Sequence, residues 1–169
     1  MRVLVTGGAG FIGSNFCHYL SRERPRWKIT VLDKLTYAGR RENLEGLEED
    51  GLRFVHGDIC SPSDVASAMD GCQLVVNFAA ETHVDRSIED SASFVRTDVE
   101  GVRVLLEEFR RREGRLFLQV STDEVYGSVE TGRSTEEDPL LPRSPYSASK
   151  AGGELLAMGY WQTHGTPVV

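Results

Sequence analysis

The sequence predicts an α/β fold in which helices cover both faces of a doubly wound parallel sheet. Short apolar runs rich in Val, Ile and Leu recur along the 169 residues, as expected of buried parallel strands. Stretches with the spacing of amphipathic helices separate these runs, and a glycine-rich turn joins the first strand to the first helix. Strands and helices that alternate at this rhythm build one parallel sheet through right-handed crossovers.

Composition and charge are those of an ordinary globular domain. The chain has 40% hydrophobic and 27% charged residues, and its length suits one domain with a core. Acidic and basic residues are mixed along a chain of net charge −7, which argues against nucleic-acid or membrane partners. No apolar run approaches the roughly 20 residues that cross a bilayer, and we expect no signal peptide.

The cysteines and histidines indicate the compartment and argue against a metal. Cys17, Cys60 and Cys72 are odd in number and form no C-x-x-C pair, which favours reduced thiols in a cytoplasmic protein. The four histidines have no ligand spacing with the cysteines or with one another. We therefore predict no structural metal.

The first strand, turn and helix have the pattern of a dinucleotide-binding loop. A strand is predicted over residues 2–5 and a helix over residues 11–20. The spacing of Gly7, Gly10 and Gly13 permits a tight turn and close backbone approach to a pyrophosphate at the helix N-terminus. A plain β–α turn is the alternative. The apolar spacing predicts a buried helix face made of Phe11, Ile12, Phe16 and Leu20.

The acid that follows the second strand indicates the cofactor. Residues 28–32 are predicted as a strand, and Asp33 lies twenty residues after Gly13, where a partner for a ribose hydroxyl is expected. An acid there favours NAD, because its charge would repel the additional phosphate of NADP. A turn or cap role is the alternative for Asp33. NADP stays open because three basic residues follow, Lys34, Arg40 and Arg41.

The later elements continue the alternation. A short helix is predicted to begin at Pro62, and a long helix over residues 94–112 is expected to pack on the sheet. The predicted packing stripe of the long helix is Val95, Val99, Val102, Leu106 and Phe109. The further predicted strands are residues 52–56, 73–80 and 116–120, with residues 167–169 as the start of another.

Residues 130–145 are rich in Gly, Pro and charged side chains. A loop of this length without regular structure is uncommon in a compact domain. We therefore predict that it is a substrate loop or lid.

Tyr146 and Lys150 are four residues apart at the start of the last predicted helix, which places them on one face. A tyrosine with an ordinary pKa of about 10 is a poor base at neutral pH. A cation about 4 Å away contributes about 4 kcal/mol at an effective dielectric near 20, which is close to the amount needed to lower that pKa to about 7. We therefore expect Lys150 to activate Tyr146 as a base, with a surface Tyr and Lys as the alternative.

Asp123 and Glu124 directly follow the fifth predicted strand, at the sheet edge where open α/β folds bind ligands. Both can reach one ligand only if the chain is already turning there, because successive strand side chains point to opposite faces. Two carboxyls in different environments can act as an acid and a base, which suits elimination of water. Solvated turn acids are the alternative.

Six segments carry a resemblance to a known family. They are TGGAGFIGS at 6–14, DKLTYAG at 33–39, GDI at 57–59, NFAAETHVDRSI at 77–88, STDEVYG at 121–127 and YSASK at 146–150. Through them the chain resembles the extended short-chain dehydrogenase/reductase family, which has a Rossmann fold, and most closely its dTDP-glucose 4,6-dehydratases. STDEVYG discriminates best, because related epimerases and decarboxylases usually have small or uncharged residues at the positions of Asp123 and Glu124.

The resemblance implies NAD-dependent dehydration of dTDP-glucose to dTDP-4-keto-6-deoxyglucose. Tyr146, assisted by Lys150, would take the proton of the sugar 4-hydroxyl while hydride passes from C4 to NAD. Glu124 would then remove the C5 proton, and Asp123 would protonate the departing 6-hydroxyl before the hydride returns to C6. Thr122 would hold the 4-hydroxyl or the developing oxyanion.

The resemblance also implies which residues contact the ligands. Thr82, His83 and Thr122 would lie near the sugar, and a structural role is the alternative for His83. The residues that match the NAD site of the family are Gly7, Gly10, Phe11, Ile12, Gly13, Asp33, Lys34, Thr36, Asp58, Ile59, Ala79, Ala80, Thr97, Tyr146 and Lys150.

Two features depart from the family pattern. Relatives often carry Asn where this chain has Asp98, so a water site or helix kink that depends on Asn would form differently here. The family also has a second, smaller domain that binds the nucleotide of the substrate, and nothing in the 169 residues corresponds to it. We therefore expect an N-terminal NAD-binding portion of a longer enzyme. The resemblance further implies a homodimer through the helices predicted at 94–112 and 146–164.

Two other functions stay open. In a sugar-nucleotide 4-epimerase of the same fold the acid pair would be incidental, and the product mass would distinguish the two reactions. A non-catalytic dinucleotide-binding module would bind NAD and convert no sugar nucleotide.

Overall fold

The computed structural model describes residues 1–47 and 51–169. In this described part, five strands form one parallel sheet in the order β3-β2-β1-β4-β5. This arrangement confirms the predicted doubly wound sheet, because the chain moves outward from β1 first to one side and then to the other. The strands are β1 (Arg2–Thr6), β2 (Lys28–Asp33), β3 (Arg53–His56), β4 (Leu74–Asn77) and β5 (Leu116–Gln119).

Within residues 1–47 and 51–169, six α-helices connect and cover the strands. Within the described residues, no helix is both long and apolar enough to cross a membrane. A π-helical turn (Arg96–Gly101) separates α4 from α5, and 3₁₀ turns cover Arg41–Leu44 and Asp123–Tyr126. The helices are α1 (Phe11–Glu23), α2 (Pro62–Ala68), α3 (Val84–Glu89), α4 (Ser91–Val95), α5 (Val102–Arg111) and α6 (Pro145–His164).

Two apolar clusters pack on opposite faces of the sheet. Leu4 of β1 points to the face covered by α2 and α5, whereas Val3 and Val5 point to the face covered by α1. Phe109 of α5 and Phe117 of β5 meet edge to face at 5.5 Å in the first cluster, and both are 1% exposed or less. The core therefore holds the strand ends in fixed positions from both sides.

The buried face of α1 differs from the prediction. Phe11 is 81% exposed and Ile12 is 64% exposed, so the expectation that they face the core is wrong. The buried residues are Gly13, Ser14, Cys17 and Leu20, while Phe16 is half-buried. The physical reason is steric, because a Cβ at Gly13 would lie 2.3 Å from the Gly7 carbonyl oxygen. The glycine faces the turn, and the two large side chains are rotated outward.

The long helix predicted over 94–112 is interrupted. The π-helical turn holds one residue more than an α-helical turn and changes which side faces the sheet. As a result Phe94 is buried and Val95 is 54% exposed, which corrects the first position of the predicted stripe. The stripe is confirmed in α5, where Val102, Leu106 and Phe109 are buried.

The backbone of the segments around β5 agrees with the prediction, and the substrate-loop or lid role of residues 130–145 stays a prediction. The described backbone between Gly127 and Ser144 forms no helix or strand, and Ser144 caps α6. Residues 167–169 run parallel to β5, where the Phe117 N–H donates to the Pro167 carbonyl and the Val169 N–H to the Phe117 carbonyl. The predicted further strand therefore begins at this edge of the sheet.

Candidate active site

A cavity of about 330 Å³ opens where the strands end. Gly7 follows β1, Asp33 ends β2, Gly57 follows β3, Phe78 follows β4 and Val120 follows β5, and all five residues line it. The carboxyl edge of a parallel sheet is where open α/β folds bind ligands. The residues matched to a cofactor site by sequence all line the same cavity, namely Gly7, Gly10, Phe11, Ile12, Gly13, Asp33, Lys34, Thr36, Asp58, Ile59, Ala79, Ala80, Thr97, Tyr146 and Lys150.

The glycine turn leaves a space open that larger side chains at its glycine positions would fill. Gly7 has a φ of 65°, and a Cβ there would lie 2.7 Å from the Ala79 nitrogen. Gly10 is the N-cap of α1, and no side chain in the described structure caps this helix end. The first N–H groups of α1 and the positive end of its dipole fit a phosphate. A dinucleotide pyrophosphate therefore fits this turn.

Asp33 has a structural role at this turn. One carboxylate oxygen accepts from the Ala9 N–H at 2.9 Å and the other from the Leu35 N–H at 2.8 Å. The turn role weighed for Asp33 is therefore present. Each oxygen keeps a further lone pair, so the same carboxylate can also accept from a ribose hydroxyl.

Lys34 and Asp58 form an ion pair of 2.7 Å at the cavity wall. Burial alone would raise the pKa of the Asp58 carboxyl, but the Lys34 ammonium and the Cys60 N–H outweigh it and hold that pKa below its ordinary value. Asp58 thus compensates the positive charge of Lys34. The attraction of Lys34 for the additional phosphate of NADP is therefore weaker.

The start of α6 holds Tyr146 and Lys150 in the cavity wall. Ser144 and Ser147 form a capping box that fixes the first turn of the helix. Lys150 is 7% exposed, and its Nζ donates to the Val120 carbonyl at 2.8 Å. Burial lowers the pKa of Lys150, while the Asp98 and Glu154 carboxylates oppose that change.

The pKa of Tyr146 corrects the expectation that Lys150 lowers it. Burial raises this pKa above its ordinary value, and the charges of Glu124, Asp98 and Asp123 raise it further. The Thr122 hydroxyl opposes this by hydrogen bonding. The main physical reason is the burial of the Tyr146 side chain, and the surplus of nearby carboxylates adds to it.

The acid pair follows β5 on a turning backbone, as its proposed use requires. Asp123 and Glu124 open the 3₁₀ turn, and the Thr122 side chain accepts from the Glu124 N–H. Both acids are exposed and act electrostatically on Tyr146, although they lie outside the cavity wall itself. The structure therefore brings Thr122, the two acids and Tyr146 together at one side of the cavity.

Two of the three residues expected near the sugar, Thr82 and His83, are placed differently. Thr82 lines the cavity, whereas His83 does not and has a φ of 78° before α3. The Tyr37 hydroxyl donates to the Thr82 carbonyl at 3.0 Å, and the Arg86 guanidinium lies 3.8 Å from the centre of the Tyr37 ring. Sequence reasoning assigned no role to Tyr37 or Arg86, although both lie inside the quoted motifs.

Two more residues near the site were missed. The Ser121 hydroxyl lines the cavity and donates to the Glu154 carboxylate at 2.5 Å. Glu154 is four residues after Lys150 on α6, a helical spacing that could have indicated it. Among the described residues, no group of three His, Cys, Asp or Glu side chains could hold a metal ion. Cys17, Cys60 and Cys72 are free thiols.

Known proteins resemble this chain along its whole length. Over 170 aligned residues it is 51% identical to the low-salt glycan biosynthesis protein Agl12 of Haloferax volcanii, covering 100% of this chain and 54% of the relative. It is 50% identical to the dTDP-glucose 4,6-dehydratase of Streptomyces niveus, covering 100% of this chain and 52% of that protein. The chain thus spans about half the length of the curated relatives it matches.

Solved structures share the fold closely. DesIV, a dTDP-glucose 4,6-dehydratase from Streptomyces venezuelae solved with NAD bound, is 48% identical with a TM-score of 0.95. The match covers 99% of this chain and 54% of DesIV. The UDP-glucose 4-epimerase of Thermus thermophilus, solved with NAD, is 35% identical with a TM-score of 0.91, covering 99% of this chain and 53% of the epimerase.

A family model supports the same assignment. The model described as GDP-mannose 4,6 dehydratase matches residues 4–169, which is nearly the entire chain. The match includes the glycine turn, the acid pair and the start of α6. The chain therefore belongs to the GDP-mannose 4,6 dehydratase family.

Proposed function

We propose that this protein takes part in the NAD-dependent dehydration of dTDP-glucose to dTDP-4-keto-6-deoxyglucose. The observation that carries the proposal is the convergence of Thr122, Asp123, Glu124 and Tyr146 beside a cavity shaped for a dinucleotide. Relatives about 50% identical are named dTDP-glucose 4,6-dehydratases, which supports the substrate and the reaction class.

NAD is the proposed cofactor, and the cavity fits it on three counts. The glycine turn admits a pyrophosphate, and Asp33 can accept from a ribose hydroxyl. The charge of Lys34 is compensated by its ion pair with Asp58, so it attracts the additional phosphate of NADP less strongly. When bound, NAD would take up a hydride, return it later, and bring a positive charge near Tyr146 in its oxidised form. Residues Ala79, Ala80 and Thr97 would form the remaining wall.

In the first half of the reaction, Tyr146 would accept the proton of the sugar 4-hydroxyl. The Lys150 ammonium would stabilise the phenolate, and the Thr122 hydroxyl would hydrogen-bond the sugar oxygen. The burial of Lys150 and its bond to the Val120 carbonyl hold it in place for this task. Groups positioned in this way contribute about 10²–10⁴-fold each to a rate.

In the second half, the acid pair would remove water. A ketone at C4 makes the C5 proton acidic, so Glu124 would take that proton and Asp123 would give one to the departing 6-hydroxyl. Their place on a 3₁₀ turn lets neighbouring side chains approach one ligand. Thr82, at the cavity wall, and His83 are proposed to contact the sugar.

A 4-epimerase is the second candidate. The close fold match to the Thermus thermophilus UDP-glucose 4-epimerase favours it. An epimerase has no elimination step for an acid pair to catalyse, so Asp123 and Glu124 favour dehydration.

The quaternary and cellular context is also proposed. Helix α6 exposes Leu155, Met158 and Trp161, which supports a homodimer through α6 and the helices around the π-helical turn. Three free thiols support a cytoplasmic location. Binding of the substrate nucleotide by a second, smaller domain is proposed from the family resemblance.

Mass spectrometry of the full-length polypeptide incubated with dTDP-glucose, without added NAD, tests the proposal. We expect the sugar nucleotide to lose one water. A product that is an isomer of unchanged mass would show epimerisation and contradict dehydration. An unaltered nucleotide in the presence of bound NAD would contradict catalysis on this substrate and favour the non-catalytic module.

A further inference from the structure

Asp98 is a buried carboxyl group directly behind the proposed base. It lies in the π-helical turn and is 2% exposed. One carboxyl oxygen accepts from the Glu81 N–H at 2.9 Å, and the other accepts from the Ser149 hydroxyl at 2.7 Å. Asp98 therefore connects the loop after β4 to the segment of α6 between Tyr146 and Lys150.

Ser149 has two acceptors within reach and only one proton to donate. Its Oγ lies 2.7 Å from an Asp98 oxygen and 2.8 Å from the Tyr146 carbonyl oxygen. With Asp98 ionised, the hydroxyl can donate to only one of them. With a proton on that Asp98 oxygen, the carboxyl group would donate to the Ser149 hydroxyl. The Ser149 hydroxyl would then donate to the Tyr146 carbonyl oxygen. One proton therefore separates two hydrogen-bond patterns at the start of α6.

Few charges face this carboxyl group. Lys150 of α6 favours the ionised form of Asp98, and Glu81 disfavours it. The Asp98 carboxylate in turn disfavours the phenolate form of Tyr146. The Cys60 thiol, after β3, donates to the Arg96 carbonyl. Helix α4 has no titratable side chain, and the charged residues of α5 include Arg103, which pairs with Glu100 at the surface.

Burial decides the balance among these interactions. It raises the pKa of the Asp98 carboxyl to about 6, although Ser149, Lys150 and the Glu81 N–H favour the ionised form. Both forms of the carboxyl are therefore populated near neutral pH.

We propose that Asp98 is a proton-linked positioning residue that switches the Ser149 hydrogen bond and the charge behind Tyr146 and Lys150. The proton comes from solvent through the cavity, since Glu81 and Thr97 line its wall, and it binds the Asp98 oxygen that faces Ser149. The ionised form of Asp98 stabilises the Lys150 ammonium and destabilises a Tyr146 phenolate. The neutral form has neither effect. This inference rests on the proposed function only where it treats Tyr146 as the base.

The pH profile of kcat/KM for the full-length Asp98→Asn variant tests the effect on Tyr146. Asparagine resembles the neutral form, since its oxygen can accept from Glu81 and its amide can donate to Ser149. We expect the acidic limb to move to lower pH by about half to one unit, which is about a 3- to 10-fold gain on that limb relative to the optimum. Glu89→Gln, which removes an exposed carboxylate on α3, should leave the profile unchanged. An unmoved limb in Asp98→Asn would overturn the proposal.

A titration of the wild-type protein tests the proton directly and needs no turnover. NMR of full-length protein labelled at the aspartate carboxyl carbons, with Asp98 assigned through its backbone, should give a midpoint near pH 6. A midpoint below about pH 5 would overturn the proposal even in an active dehydratase. A midpoint near 6 in a protein that converts no sugar nucleotide would retain the Asp98 assignment and contradict the proposed function.

Discussion

At the scale of single residues, the properties of Tyr146 depend on the side chains of several elements. Asp98 comes from the π-helical turn, whereas Asp123 and Glu124 come from the 3₁₀ turn after β5. Burial raises the pKa of Tyr146, and all three carboxylates raise it further. The spacing of Tyr146 and Lys150 alone therefore does not lower the pKa of Tyr146 in this structure.

The acid pair gives the first residue-scale prediction. Asp123→Asn and Glu124→Gln should each lower the dehydration rate about 10²–10⁴-fold, because each removes one proton-transfer group from the proposed elimination. Bound NAD should be unchanged, since neither side chain lines the cavity. Rapid-quench mass spectrometry and the absorbance of released cofactor measure the two effects.

Glu89→Gln is the matched control, because it removes an exposed carboxylate from α3. It should keep the wild-type rate. Full turnover in both Asp123→Asn and Glu124→Gln would disprove the roles assigned to them.

At the scale of elements, the site depends on the close approach of α6 to the π-helical turn. A Cβ at Gly153 would lie 2.3 Å from the Asp98 carbonyl oxygen, so only glycine permits this separation. The contact holds α6 in the position from which Ser149 reaches Asp98 and Lys150 reaches the Val120 carbonyl.

Gly153→Ala should therefore lower the free energy of unfolding by about 1–3 kcal/mol and reduce turnover, because α6 must move outward. Chemical denaturation and the steady-state rate measure both effects. Gly159→Ala on the same helix is the control, since a Cβ there would meet no atom within 4 Å. It should be neutral or stabilising by up to about 1 kcal/mol. Equal stability of the two variants would show that the close contact is not needed.

At the scale of the whole molecule, the buried Asp98 links folding to pH. Its pKa of about 6 in the folded chain exceeds the value near 3.9 expected when unfolded, so the folded state binds the proton more tightly. The stability contributed by this group is complete below about pH 4 and is lost as the pH rises through about 6. Stability is thus reduced at neutral pH, where the proposed positioning charge is present.

Asp98→Asn should raise the free energy of unfolding at pH 7.5 by up to about 3 kcal/mol, and the difference should shrink toward zero near pH 4. Urea unfolding across this range measures it. Glu89→Gln should show little difference at any pH. A stability difference for Asp98→Asn that stays constant between pH 4 and 7.5 would contradict the linkage.

Much of the fold was predictable because it follows local rules. Short apolar runs identified all five described strands, and the 3.6-residue spacing identified the buried stripe of α5. The errors fell at strand ends and at the exposed residues Phe11, Ile12 and Val95. The strand predicted over 73–80 ends at Asn77, because the backbone then leaves the sheet to form the cavity wall at Phe78 to Thr82. A hydrophobic pattern cannot show this departure, since apolar cavity walls and apolar strands have similar sequences.

The sequence by itself determined the parallel α/β fold, the glycine turn, the acid after β2 and the spacing of Tyr146 and Lys150. These features depend on residues close together in the chain, where backbone geometry allows few arrangements. The tertiary structure alone decided the hydrogen bonds of Asp98 and the charge balance at Tyr146. Those outcomes depend on contacts between distant residues, such as Asp98 with Ser149, 51 positions apart. Such contacts exist only once the two core clusters have packed α6 against the π-helical turn.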